Sequence, residues 1–169
     1  KYKGDALINF QALNGAEIPM ISRGSNPPLL TGDSLIIDAL LGTGIREAPR
    51  GPIADIIKEY ADLGHACVAI DLPSGLNADT GQVYEDFAPI PADFTLTFQC
   101  PKICHCVTPA SKSCGKVATI DIGIWPEVME ELDIRRFVLD GTEAAALWQP
   151  PSVDTHKGRQ GHALLVGGS

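Results

Sequence analysis

Long apolar runs and an excess of positive charge are both missing from this sequence. No apolar stretch approaches the roughly 20 residues that a membrane-spanning helix needs, so we expect no membrane partner. Lysine and arginine together number 13 against 21 aspartates and glutamates, which gives a formal net charge of −8. A chain of that charge repels polyphosphate on average, which argues against a nucleic acid partner. A dinucleotide is still compatible, because backbone N–H groups and one or two cations suffice to bind it.

Cysteine pairs at disulfide or metal-binding spacing are also lacking. The five cysteines are odd in number and form no Cys-x-x-Cys pair, which argues against a disulfide scaffold and favours a reducing cytoplasm. Cys100, Cys104 and Cys106 cluster around His105, but their spacing matches no familiar zinc knuckle. Reduced thiols after a strand are therefore favoured over a zinc site. Without a Gly-x-Ser-x-Gly elbow, Ser74 is a poor candidate for a hydrolase nucleophile.

The first residues, Lys1 to Asp5, contain neither an initiator methionine nor the apolar core of a signal peptide. We therefore expect a fragment or a processed chain. At 44% hydrophobic and 20% charged residues, the 169-residue chain has the composition of a soluble globular protein. Its length suits one domain, or one domain with part of a second.

The apolar pattern predicts strands alternating with helices. Helices are predicted over residues 5–13, 52–64, 126–132 and 142–148, and strands over residues 18–21, 34–41, 66–72, 92–98 and 116–122. The runs 34–41 and 66–72 are almost wholly apolar, which is typical of strands buried on both faces of a parallel sheet. This order of elements predicts an α/β fold with a mostly parallel sheet.

Carboxylates end two consecutive predicted strands, at Asp38 and Asp71. Ligands of open parallel sheets bind beyond the carboxyl ends of the strands. Two carboxylates there repel each other unless a cation lies nearby. The following loops supply the oxygens of Thr43, Ser74 and Asn77, which suit hard cations such as potassium, magnesium or calcium. The alternative is that one or both aspartates merely cap a turn.

The loop after the first of these strands contains Gly42-Thr43-Gly44, whose backbone can approach a ligand closely. It lacks the third glycine of the dinucleotide fingerprint. Arg46 and Arg50 would contact phosphate or remain solvated loop cations. Lys102 follows a predicted strand and would act as an acid or base if desolvated, although a surface lysine is the more ordinary interpretation.

These strings resemble the NAD(P)H-hydrate epimerase family. The matching segments are DALLGTG at 38–44, AIDLPSGLNADTG at 69–81, ADFTLTF at 92–98, Pro101-Lys102 and Asp121-Ile122-Gly123. The similarity extends from about Asp5 to Leu139. It implies a Rossmann-like three-layer α/β/α sandwich, with the N-terminal part of that sandwich absent from this chain.

The tail resembles a second family. His156-Lys157-Gly158, Gly161-His162 and VGGS at 166–169 are similar to the start of the ADP- or ATP-dependent NAD(P)H-hydrate dehydratase domain, which has a ribokinase-like fold. The predicted organisation is an epimerase part over 1–148, a linker over 149–155 and a dehydratase stub over 156–169. ADP (or ATP) would be the cofactor of the dehydratase domain.

The resemblance implies interconversion of the R and S forms of hydrated NADH or NADPH, so that an S-specific dehydratase can restore the cofactor. Asp38 and Ser74 would bind a potassium ion. Asp71 would contact the substrate and take part in proton transfer, assisted by Lys102. Further substrate contacts would come from Gly42, Thr43, Gly44, Ile45, Arg46, Glu47 and Ala48.

Members of that family also have an upstream loop of Gly-Asn-Asn-Gly-Gly-Asp type, which supplies a potassium ligand and substrate contacts. This chain has no such string, so we expect its site to be incomplete alone. A non-catalytic protein-binding module of the same fold is the alternative. The joint presence of Asp38, Asp71, Ser74 and Lys102 favours catalysis, because a scaffold needs none of them. Hydrated NADH or NADPH is the expected small-molecule partner. Formation of a homo-oligomer is a possibility that the sequence does not decide.

Overall fold

The computed structural model describes residues 3–16, 18–21, 30–148, 150, 153–156, 158 and 164. The chain divides into two units, residues 1–121 and residues 122–169, and the first unit contains the sheet. Most of the predicted linker and dehydratase stub lies outside the described residues, so the predicted boundary at residue 148 stays a prediction.

A parallel sheet of four strands, paired in chain order, forms the first unit. The strands are β1 (Leu35–Asp38), β2 (Ala66–Ile70), β3 (Phe94–Phe98) and β4 (Lys116–Ile120). Their register places Asp38 beside Ala69 and Ala69 beside Thr95. Because all four strands run in the same direction, the loops that follow them emerge at one edge of the sheet. The predicted α/β class with a parallel sheet is confirmed.

Helices precede and connect these strands. The first unit contains α1 (Asp5–Gly15), α2 (Pro52–Ala61), α3 (Ile103–Cys106) and a 3₁₀ helix (Ala110–Ser113). The second unit contains α4 (Pro126–Glu130) and α5 (Gly141–Leu147). Pro52 lies in the first turn of α2, where its missing N–H costs no hydrogen bond. Within the part of the chain that the structure describes, no helix is both long and apolar enough to cross a membrane.

One predicted strand is wrong. Residues 18–21 form no strand, although three of the four are apolar. All four are exposed, and a short extended segment without a neighbouring strand to pair with gains too little from hydrogen bonding to stay ordered as a strand.

Helix α2 covers one face of the sheet. Its Ile57 is fully buried and Ala54 nearly so, and both pack with Cys67 of β2. Phe87 and Ile90, from the long connection between β2 and β3, complete this cluster. Burying a side chain of this size is worth roughly 1.5–3 kcal/mol, so α2 is held mainly by its apolar face.

The opposite face of the sheet carries apolar side chains that remain exposed. Leu35 and Ile37 of β1 are 58% and 56% exposed, and Phe94 of β3 is also exposed. The prediction that β1 is buried on both faces is therefore wrong. No helix of the described first unit packs against these side chains. The run of apolar residues in β1 therefore shows that both faces of the strand are apolar, although only one of them is buried.

We expect Ile57→Ala to lower the free energy of unfolding by about 2–5 kcal/mol, because it leaves a cavity beneath α2. Urea denaturation followed by circular dichroism measures this change. Glu59→Ala, on the exposed side of the same helix, serves as the control and should change stability by less than about 0.5 kcal/mol. Equal effects of the two substitutions would contradict the packing of α2 described above.

Candidate active site

Asp38 and Ser74 are in direct contact at the carboxyl edge of the sheet. Asp38 ends β1 and is only 2% exposed. The Ser74 hydroxyl donates to Asp38 Oδ1 at 2.5 Å, and the Ser74 N–H donates to Oδ2 at 2.7 Å. The Leu40 N–H adds a longer bond of 3.3 Å to Oδ1. The structure thus brings together the two residues predicted to bind a metal ion.

The oxygens around Asp38 are of the types that bind hard cations. Among the described residues, every hydrogen-bond donor to Asp38 is neutral, and a buried carboxylate without a counter-charge is unfavourable. The Ser74 hydroxyl also lies 3.4 Å from the Leu41 carbonyl oxygen. Carboxylate, hydroxyl and carbonyl oxygens are ligands of hard cations. No group of three His, Cys, Asp or Glu side chains in the described ranges could hold a metal, so these residues form no multi-carboxylate site.

Asp71 leaves β2 in a left-handed backbone conformation, with φ at 71°. Its N–H donates to the Leu96 carbonyl at 2.8 Å, so the link to β3 continues one residue past the paired register. Gln99, one residue past β3, also has a left-handed backbone, with φ at 61°, and its N–H donates to the Ile120 carbonyl. Non-glycine residues seldom adopt this conformation, although aspartate does so more readily than most. The turn fixes where the Asp71 side chain emerges.

An ion pair joins Asp71 to Lys102. The Lys102 Nζ donates to Asp71 Oδ1 at 2.5 Å, and the side chains of Lys102 and Asp71 are 18% and 16% exposed, respectively. Nζ also donates to the Thr97 hydroxyl at 2.8 Å and the Phe98 carbonyl at 2.9 Å. The interpretation of Lys102 as a surface lysine is therefore wrong. Three acceptors, at the ends of β2 and β3, hold its ammonium in place.

The two oxygens of Asp71 have different surroundings. Oδ1 accepts from Lys102, from the Thr97 hydroxyl at 3.2 Å and from the Phe98 N–H at 3.4 Å. Oδ2 accepts no hydrogen bond from the residues that the structure describes. A methyl group placed on Gly42 would lie 3.8 Å from Oδ2, so the first loop runs beside this oxygen. Oδ2 is the Asp71 atom available to a ligand.

The environment of Asp71 favours its ionised form. Burial raises the pKa of this carboxyl, but hydrogen bonds from Lys102, the Phe98 N–H and the Thr97 hydroxyl, with the Lys102 charge, outweigh burial. The pKa of Asp71 therefore lies below its ordinary value. At neutral pH Asp71 is a carboxylate that can accept a proton.

Residues 42–48, predicted to contact the substrate, form a largely exposed loop. Only Ile45 and Ala48 are half-buried. Arg46 lies 3.8 Å from Asp79 of the loop after β2, and both side chains are exposed, so this pair adds little stability. Arg50 instead pairs with Glu47 in the same loop, at 3.1 Å.

The loop after β2 is rigidly packed. All residues from Leu72 to Ala78 are buried, and Leu72 and Leu76 pack with Cys104 and Cys114. Asn77 is occupied within the loop, because its side-chain oxygen accepts the N–H groups of Asp79 and Thr80. The Asn77 side chain therefore stabilises the turn, whereas the sequence suggested it as a cation ligand.

Glycine is required at position 75 of this loop. Its φ is 109°, and a Cβ there would lie 2.8 Å from Phe87 and 3.2 Å from the Pro89 backbone. Any side chain would displace the loop that carries Ser74.

Cys67 lies beneath this edge of the sheet. Burial, followed by the charge of Asp38, raises the pKa of its thiol to about 11, so Cys67 is protonated at neutral pH and is not a candidate nucleophile.

A family model described as YjeF-related protein N-terminus matches residues 1–104 of this chain. The chain belongs to this family. The match covers Asp38, Asp71, Ser74 and Lys102, and with them every predicted site residue.

Relatives of this YjeF-related chain have repair-enzyme names. A "Bifunctional NAD(P)H-hydrate repair enzyme Nnr" of Moorella thermoacetica is 33% identical over 175 residues, covering 99% of this chain and 32% of that protein. A protein of the same name from Hyperthermus butylicus is 39% identical over 135 residues, covering 80% and 23%. A "Bifunctional NAD(P)H-hydrate repair enzyme" of Leishmania infantum is 38% identical over 170 residues, covering 94% and 29%. The chain thus spans between about a quarter and a third of these relatives.

The crystal structure of yeast ynu0 has the same fold. It superposes with a TM-score of 0.58 at 20% sequence identity, covering 82% of this chain and 58% of the yeast chain. At that identity the likeness supports the fold alone.

Sequence reasoning missed Thr97. The sequence predicted residues 92–98 only as a strand and gave its threonines no role. In the structure Thr95 and Thr97 are fully buried, whereas Phe94 and Phe98 are exposed. The available signal was the position of Thr97, at the end of a strand and five residues before Lys102.

We expect Lys102→Met to raise the pKa of Asp71, because the variant loses both a hydrogen bond and a positive charge. Carbon NMR titration of the Asp71 carboxyl measures this change, and the wild-type pKa should lie below the ordinary value of 3.8. Because the folded pKa is lowered, the stabilisation is present above pH 3.8 and is lost as the pH falls through the folded pKa.

The exposed Lys112 supplies the control, and Lys112→Met should leave the Asp71 pKa unchanged. An Asp71 pKa that is the same in Lys102→Met and wild type would show that the ion pair is not formed in solution.

Proposed function

We propose that this chain is the NAD(P)H-hydrate epimerase part of an NAD(P)H-hydrate repair enzyme, which interconverts the R and S forms of hydrated NADH and NADPH. The observation that carries the proposal is the Asp71–Lys102 ion pair, with Asp71 Oδ2 left open beside Gly42. Membership of the YjeF-related family and the names of the relatives support it.

The chemistry of the pair suits this reaction. Inversion of a stereocentre through proton transfer needs one group that accepts a proton and another that donates one. Asp71 is ionised and would accept a proton at Oδ2. Lys102 would donate one after its ammonium exchanges one of its three present acceptors for the substrate. Substrate and product are isomers, so the step consumes no co-reactant.

Binding would involve the loops at the same edge of the sheet. The exposed 42–48 loop supplies backbone N–H groups and Arg46, which suit the phosphates of a dinucleotide. Asp38 and Ser74 would hold a potassium ion, which would supply positive charge beside the bound substrate. Coupling to ADP-dependent dehydration of the S form belongs to the same proposal for the longer protein, supported by the 156–169 sequence and by the word "bifunctional" in the names of the relatives.

We expect Asp71→Asn to reduce epimerisation at least about a hundredfold, in line with the loss of a general base. The assay mixes the full-length protein with R-form NADPH hydrate in potassium buffer and follows the S form by chromatography. Asparagine suits the comparison, because it tolerates the left-handed backbone at position 71 and so preserves the turn.

Asp86→Asn is the matched control. Asp86 is also left-handed, with φ at 59°, but its side chain is exposed. We expect wild-type turnover from this variant. If the folded wild-type protein produces no S form, the epimerase proposal fails and the non-catalytic protein-binding module takes its place.

We also expect potassium to raise the melting temperature of the wild-type protein, because an ion that binds only the folded state stabilises it. Differential scanning fluorimetry in potassium, sodium and choline chloride at equal ionic strength measures the effect. Asp38→Asn and Ser74→Ala should each lose most of the potassium-specific increase. An increase of the same size in both variants would place the ion elsewhere.

A further inference from the structure

Two buried threonines lie on the same face of β3. Thr95 and Thr97 are both fully buried and are two residues apart. The Thr95 hydroxyl donates to the Cys114 carbonyl at 2.6 Å and so links β3 to the chain just before β4. Thr97 instead contacts both members of the ion pair. Threonine thus has a structural role at position 95 and contacts the candidate site at position 97.

The hydrogen bonds of Thr97 have a fixed direction. An ammonium can only donate, so the Thr97 hydroxyl oxygen accepts from Lys102 Nζ at 2.8 Å. The single hydroxyl proton is then free to point at Asp71 Oδ1, 3.2 Å away. Lys102 also donates directly to Oδ1, so the three groups form a closed triangle.

This triangle distinguishes the two oxygens of Asp71. A rotation of the carboxylate away from this orientation would weaken the bonds from Thr97, Lys102 and the Phe98 N–H together. Of the three donors, only Thr97 touches both charged groups through a side chain that carries no charge. Its removal therefore loosens the orientation of the pair without removing either reacting group.

We propose that Thr97 is a positioning residue of the site: it holds the Asp71 carboxylate and the Lys102 ammonium in one orientation, so that Asp71 Oδ2 is the oxygen that exchanges a proton with the substrate. This proposal rests on the proposed epimerase function. Thr97 does not itself exchange a proton with substrate, because its hydroxyl is fully buried and both of its bonds are made to the pair.

The test compares Thr97→Val, which keeps the shape of the side chain and removes the hydroxyl, with Thr97→Ser, which keeps the hydroxyl. Misplacement of a catalytic group by about 1 Å can cost a hundredfold in rate, so we expect the kcat of Thr97→Val to fall roughly ten- to hundredfold. The KM for the hydrate should stay within about twofold, since the loops that bind it are unchanged. Thr97→Ser should recover most of the rate.

Thr95→Val is the matched control, because it removes an equally buried hydroxyl from the same strand face. It should lower the melting temperature but leave kcat near wild type. Thermal denaturation checks that each variant is folded, and Thr97→Ala replaces the valine variant if the latter does not fold. Equal kcat losses in Thr95→Val and Thr97→Val, or no rescue by serine, would overturn the positioning role.

A second readout does not need turnover. The pKa of Asp71, measured by NMR, should be higher in Thr97→Val than in wild type and unchanged in Thr95→Val. An unchanged pKa in both variants would overturn the proposed contact. If the wild-type protein converts the hydrate and Thr97→Val is equally active, the positioning role alone is wrong. If the wild-type protein itself does not convert the hydrate, the epimerase function and this proposal are both wrong.

Discussion

One carboxylate oxygen, Oδ1 of Asp71, ties together the parts of the chain on which the candidate site depends. It accepts hydrogen bonds from Thr97 and Phe98 at the end of β3 and from Lys102 just before α3. These contacts hold the end of β2, the end of β3 and the start of α3 in one place. The left-handed backbone of Asp71 is retained because its N–H and its side chain both bond to the same neighbouring strand.

The parts of the site that sequence could predict are those governed by the order of the strands. Apolar runs ending in Asp38 and Asp71 placed both carboxylates at one edge of a parallel sheet, and the structure has them there. The contact between Asp38 and Ser74, 36 residues apart, follows because β1 and β2 are neighbours. The resemblance, rather than the pattern, singled out Ser74 and Lys102.

The parts that sequence could not predict depend on which face of the sheet is covered. Threonine alternates with phenylalanine and leucine along β3, and the hydrophobicity of these residues favours burial of the phenylalanine and leucine side chains. The structure buries Thr95 and Thr97, whose hydroxyls donate hydrogen bonds to the Cys114 carbonyl and to Asp71 Oδ1, respectively. Likewise, no pattern within β1 reveals whether a helix covers Leu35 and Ile37. Such burial is a property of the neighbouring elements, not of the strand itself.

Neighbouring strand ends give Asp38 and Asp71 different chemistry. Both oxygens of Asp38 accept hydrogen bonds from neutral groups, in nearly complete burial, and none of its donors among the described residues carries a positive charge. Asp71 is balanced by Lys102 through one oxygen, and its other oxygen faces the first loop. A carboxylate whose charge is already neutralised can exchange a proton without repelling an anionic substrate. The pairing of each aspartate, rather than its position on the sheet, therefore supports the proposed ion-binding role for Asp38 and the proposed proton-transfer role for Asp71.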